Sequence, residues 1–196
     1  MMLHTLAALL AFAHAYAGIS SCTYSLHTHE VTGSRMQDRV YSYAFLKPAL
    51  AKTTIVAGDH RGSAAIWNGG DTLKAHEGGL FSIVHVTMGV RDARATSMLG
   101  YTLPDGLLQN IVARFTDVPG TRTQTAAVVD GRLADIVTLH PSNPAAQDHG
   151  ATRDVIAFSH ATALPIRITL YVRNTLLVDE SIADLKLNPN LTVADF

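Results

Sequence analysis

The sequence holds one cysteine, Cys22, in 196 residues. An intrachain disulfide is thereby excluded, and so is a zinc site built from cysteines. Charge is also scarce and balanced: 15 Lys and Arg stand against 16 Asp and Glu, a formal net charge of -1. No basic surplus exists to follow a nucleic-acid backbone or an anionic membrane surface, so neither is expected as a partner. No apolar run reaches the roughly 20 residues that a spanning helix needs. The common signatures of catalysis are missing too: no G-x-S-x-G elbow, no G-x-x-x-x-G-K-[ST] loop, no H-E-x-x-H and no G-x-G-x-x-G occurs. Gly58-Asp59-His60-Arg61-Gly62 lacks the lysine and the following helix of a phosphate loop and reads as a β-turn. No cofactor is expected. No repeat of fixed period points to a solenoid or propeller.

What is present is apolar and strand-like. With 47% hydrophobic and 16% charged residues, the chain can bury a core, and its length suits a single domain over residues 1–196. Side chains alternate across a strand, and the last third reads as three consecutive strands, Val155 to Phe158, Pro165 to Arg173 and Thr175 to Leu187. In the middle one Ile166, Ile168, Leu170 and Val172 are expected on one face and Arg167, Thr169, Tyr171 and Arg173 on the other. Upstream, strands are expected over 22–31, 38–47, 50–57, 63–67, 72–77 and 80–88, with Tyr41, Tyr43 and Phe45 sharing a face. Asp130-Gly131 between Gln124 to Val129 and Arg132 to Leu139 is a strong hairpin signal. Residues 140–153 read as a loop. A helix is expected over 104–115, where Leu107, Leu108, Ile111, Val112 and Phe115 recur at helical spacing behind Pro104.

The first 17 residues allow two readings. Leu6, Leu9, Leu10 and Ala13 make an apolar helix stopped by Gly18. The same stretch, with Ala15-Tyr16-Ala17 behind it, resembles a secretory signal and its cleavage site, although no Lys or Arg precedes the run. A third reading takes Ile19-Ser20-Ser21-Cys22 as lipobox-like, with Cys22 lipidated.

Two arrangements carry candidate chemistry. His27 and His29 share a strand face and could hold one zinc or iron if a distant His such as His85 or His140 joined them, while Glu30 points the other way. A metal-dependent enzyme is the reading this would support; solvated histidines on an outer strand are the plainer one, and no metal site is assigned. The aromatic stripe with Trp67 either packs a core or lines a pocket for acyl chains, since both demand the same residue types.

The order of elements, with Tyr24-Ser25-Leu26-His27-Thr28-His29-Glu30, Tyr43-Ala44-Phe45-Leu46-Lys47-Pro48, Ala64 to Leu73, Ala163 to Ile168 and Asp184 to Pro189, resembles the outer-membrane lipoprotein-sorting, or periplasmic lipoprotein-carrier (LolA-like), superfamily. The resemblance implies an α+β fold: a strongly curved antiparallel sheet forming an incomplete β-barrel, covered by a few helices. It implies a non-enzymatic, monomeric envelope or periplasmic protein that binds acyl chains of a lipid or lipoprotein, in transport or sorting. An envelope-stress sensor on the same scaffold is the alternative, and an inner- or outer-membrane protein could be a further partner. Phe45, Trp67, Phe81, Ile168 and Leu170 are expected to line the apolar hollow, and Lys47 before Pro48 takes the place of the basic residue that fastens the lid in the carrier.

Overall fold

The computed structural model describes residues 7–79 and 83–196. Its order is α1 (Ala7–Ala17), β1 (Ser21–Thr32), β2 (Arg35–Leu46), β3 (Leu50–Gly58), β4 (Ala64–Trp67), β5 (Thr72–His76), β6 (Val86–Gly89), α2 (Leu108–Asp117), β7 (Gly120–Val129), β8 (Arg132–Pro141), β9 (Arg153–Ser159), β10 (Pro165–Val172) and β11 (Thr175–Leu187). The strands form one antiparallel sheet in the order β6-β5-β4-β3-β2-β1-β11-β10-β9-β8-β7. The sheet does not close on itself, since β6 and β7 are its ends. The α+β architecture expected from the sequence is therefore present, an open antiparallel sheet with two α-helices.

The chain divides into two compact units, 1–18 with 108–181 and 19–107 with 182–196. In the first, the hairpin β7–β8 turns on Asp130 (φ 49°) and Gly131 (φ 75°), the paired left-handed residues that match the twist of the flanking strands. Helix α1 forms from an Ala- and Leu-rich stretch with no β-branched residue, buries Ala8, Leu9 and Phe12, and stacks Phe12 on Tyr16. Helix α2 starts later than its pattern suggests. Pro104–Gly106 is a separate 3-10 turn, and the α-helix proper buries Leu108, Ile111, Val112 and Phe115. The side chain of Arg122 on β7 donates to the carbonyls of Phe115, Thr116 and Val118, satisfying groups that a helix end leaves open.

One expectation for β10 is overturned. The register of β10 against β9 slips between Pro165 and Arg167, so Ile166 and Arg167 together oppose Ala157 as in a β-bulge. Ile166 consequently packs with Ala134, Ala157, Val129 and Ile136 on the face opposite to Ile168 and Leu170. The loop expected over 140–153 contains two short 3-10 turns, Pro144–Ala146 and Asp148–Gly150. The strand expected over 80–88 is confined to Val86–Gly89; residues 83–85 lie outside any strand, and 80–82 lie outside the described residues.

Candidate apolar site

Residues paired across an antiparallel ladder share a face, so strand register reads out the site row by row. In the first unit Gln124, Val137, Ile156 and Ile168 form one row. Arg122, Leu139, Asp154 and Leu170 form the next, and Ala126, Asp135 and Phe158 flank on the other side. Val137, Leu139 and Ile156 are 0% exposed, Phe158 1%, Ile168 and Leu170 2%. The helix pair reaches each of these rows. The backbone N–H of Ala8 donates to Gln124 Oε1 at 3.1 Å, Phe12 sits 5.9 Å from Phe158 between ring centroids, and Arg114 reaches Asp154 at 3.5 Å. Each row of this face is thus touched by a helix or its end, and Tyr16 Oη ties α1 to α2 by donating to Gln109 Oε1 at 2.6 Å.

In the second unit the face carries Cys22, Phe45, Ala51, Trp67, Leu73 and Met88 in one row and Tyr24, Tyr43, Thr53, Ala65 and Ala75 in the next. Leu26 with Tyr41, Thr28 with Arg39 and Glu30 with Gln37 continue it. The roof here is not an α-helix but the segment 97–107. It is pinned at four points: Met98 N–H donates to Gln37 Oε1 (3.0 Å), Leu99 N–H to Glu30 Oε2 (2.8 Å), Tyr43 Oη to the Leu103 carbonyl (3.4 Å) and Tyr24 Oη to the Gly106 carbonyl (2.7 Å). Tyr24 and Tyr43 stack at 5.1 Å and nearly parallel. They approach the roof so closely that a Cβ at Gly106 would lie 2.2 Å from Tyr43 Oη, which is why glycine stands there.

Of the five residues expected to line the hollow, the four that are described divide between the units. Ile168 and Leu170 lie side by side on β10 under the helices, whereas Phe45 and Trp67 share a row of the second unit with Ala51 between them. Phe45 is buried; Trp67 is half-buried and donates its indole N–H to the Gly70 carbonyl at 2.6 Å. Lys47 is half-buried just past β2, and its backbone N–H donates to the Ser20 carbonyl. Its charge also draws on the Cys22 thiol, but burial wins and pushes that thiol up to about 12. Phe81 lies outside the described residues. Sequence reasoning did not single out Val137, Leu139, Ile156 and Phe158 for the site; apolar alternation in β8 and β9 marks them as buried but not as sharing one floor.

His27 and His29 stand on the outer face of β1, where His29 Nδ1 lies 2.6 Å from Asp38 Oδ1. Among the described residues no group of three or more His, Cys, Asp or Glu is placed to hold a metal ion.

No protein-family model matches the chain, and no curated protein matches it either. Solved structures do. An uncharacterized conserved protein from Thermus thermophilus superposes with a TM-score of 0.60 at 9% identity, covering 96% of this chain and 89% of that one. The lipoprotein LppX from Mycobacterium tuberculosis gives 0.56 at 13% identity over 95% of this chain and 96% of its own. A LolA superfamily protein from Nitrosomonas europaea is matched over 98% of both chains at 11% identity, with a TM-score of 0.48. At such identities the likeness shows the fold alone. The open antiparallel sheet with few helices agrees with the architecture that the sequence resemblance implies, and the Thermus protein and LppX share it at the level of the fold.

Proposed function

We propose that this chain is a non-enzymatic envelope protein that shelters acyl chains of a lipid or lipoprotein against its apolar sheet face. The observation that carries the reading is the roof of the first unit, where α1 buries Leu9 and Phe12, sets Phe12 against Phe158 and is tied to the sheet by the Ala8 to Gln124 hydrogen bond. Lifting it exposes two large apolar side chains, at about 1.5–3 kcal/mol each, while sheltering ten methylenes of a guest returns about 8 kcal/mol. Hydrocarbon can therefore replace the roof at a net gain. In this reading Ile168 and Leu170 form the floor, Phe45 and Trp67 add apolar lining in the second unit, and Lys47 contacts the lid. No helix among the described residues is long and apolar enough to cross a membrane, and the proposed location is the periplasm or cell envelope.

Native mass spectrometry after incubation with a dipalmitoylated lipopeptide tests this. The expected result is an adduct of one lipopeptide per chain, competed by phospholipid. An unchanged apo mass at a large excess of lipopeptide overturns the proposal.

A further inference from the structure

At the far edge of the second unit, the end of β5 and the start of β6 bring two imidazoles together. Ala75 pairs with Val86 at the end of that ladder, and His76 and His85 are the next residues on either side. The ring centroids are 5.2 Å apart, with the planes at 74°. His85 is exposed and His76 half-buried, so both rings are reachable from solvent.

This spacing has a chemical reading. A zinc ion about 2.1 Å from a ring nitrogen lies about 3.2 Å from that ring's centroid, and two rings held at a tetrahedral angle then have centroids about 5.2 Å apart. The tautomer agrees. His76 Nδ1 lies 3.0 Å from the Glu77 backbone carbonyl, which can only accept, so Nδ1 donates there and Nε2 is the nitrogen left to meet a metal ion. Donation of the far ring nitrogen to a carbonyl is the arrangement that orients metal-ligating histidines and makes them more basic.

We propose that His76 and His85 form a two-histidine site for a divalent transition-metal ion that prefers imidazole, with zinc or copper as its occupants. The remaining positions go to water, so the site is open, and the ion staples the end of β5 to the start of β6 at the edge of the sheet. It is distinct from the His27 and His29 pair, whose His29 Nδ1 already faces the Asp38 carboxylate.

Equilibrium dialysis of the full chain against zinc chloride, with elemental analysis, tests the site. One zinc per chain is expected; His76→Ala and His85→Ala each weaken uptake at least tenfold, and His27→Ala with His29→Ala leaves it unchanged. Both rings are at the surface, and circular dichroism checks that the variants fold. A second readout is an increase in Tm with zinc that disappears in the His76 and His85 variants. No zinc uptake by the wild-type chain, uptake unaffected by the loss of both rings, or uptake lost in the His27 and His29 variant would each overturn the assignment.

Discussion

The two units cover comparable apolar sheet faces by opposite means. In the first, helices lay Leu9, Phe12, Ile111, Val112 and Phe115 down as buried residues, and the polar ties to the sheet include one amide bond to Gln124 and one ion pair to Asp154. In the second, four hydrogen bonds stitch an irregular segment to Gln37, Glu30, Tyr43 and Tyr24. On the proposed function, the difference sets which roof a hydrocarbon can displace. An acyl chain offers apolar surface in exchange for Leu9 and Phe12, whereas it offers Glu30 no amide and Tyr24 no carbonyl. A buried donor or acceptor left without its partner costs about 1–3 kcal/mol. On that reading the helical unit is the yielding half and the stitched unit the frame. The row of Phe45 and Trp67 bears none of those four bonds.

The largest effect should come from the floor of the yielding unit. Phe158→Ala removes a ring that is 1% exposed and packed against Phe12, and should lower stability by about 3–5 kcal/mol in urea unfolding while weakening lipopeptide binding. In the frame, Gly106→Ala forces a methyl group into the Tyr43 hydroxyl, and should cost about 1–3 kcal/mol with lipopeptide affinity preserved. If Gly106→Ala abolishes binding in a folded protein, the division of labour between the units is wrong.

Strand alternation made much of this legible. It put Tyr41, Tyr43 and Phe45 on one face and separated Glu30 from His27 and His29, and the register confirms both. Asp130-Gly131 announced its hairpin because left-handed backbone has few tolerant residues. Ile166 escaped because a bulge shifts the alternation by one residue and leaves no mark in the composition. The roof of the frame escaped for a different reason. Residues 97–103 have no period and 104–107 read as part of the helix that follows, while the place of this segment is set by side chains on β1 and β2 some 60 to 82 positions away, pairings that local pattern does not reveal. The division of the lining residues between two units is likewise a tertiary fact.

Cys22 reports whether the frame stays shut. Its thiol is pushed up to about 12 by burial, against an ordinary value of 9.0. Between those values the unfolded chain loses the proton and the folded chain keeps it, so stability present below pH 9 falls as pH rises toward 12. At pH 10 the loss is about 1 kcal/mol, and Cys22→Ala should flatten that part of the stability curve relative to wild type. At neutral pH a thiol reagent should react slowly, and lipopeptide should not speed it. Fast labelling on lipid addition would show that the frame opens too.

The finest test loosens the yielding roof without touching its hydrocarbon. Gln124→Leu keeps the side chain's bulk, deletes the acceptor for the Ala8 amide and leaves Leu9 and Phe12 in place. Two partly buried hydrogen bonds are lost, the one from the Ala8 N–H and the one that Gln124 donates to Asp135, at about 1 kcal/mol each. If α1 must lift before a guest enters, the Ala8 share of that destabilisation no longer opposes binding, and lipopeptide affinity should rise about fivefold, because about 1.4 kcal/mol corresponds to tenfold. The opposite sign is informative. A Gln124→Leu protein that is less stable yet binds lipopeptide no tighter would mean that α1 stays down when the guest is bound, and that the apolar rows beneath it are core rather than cradle.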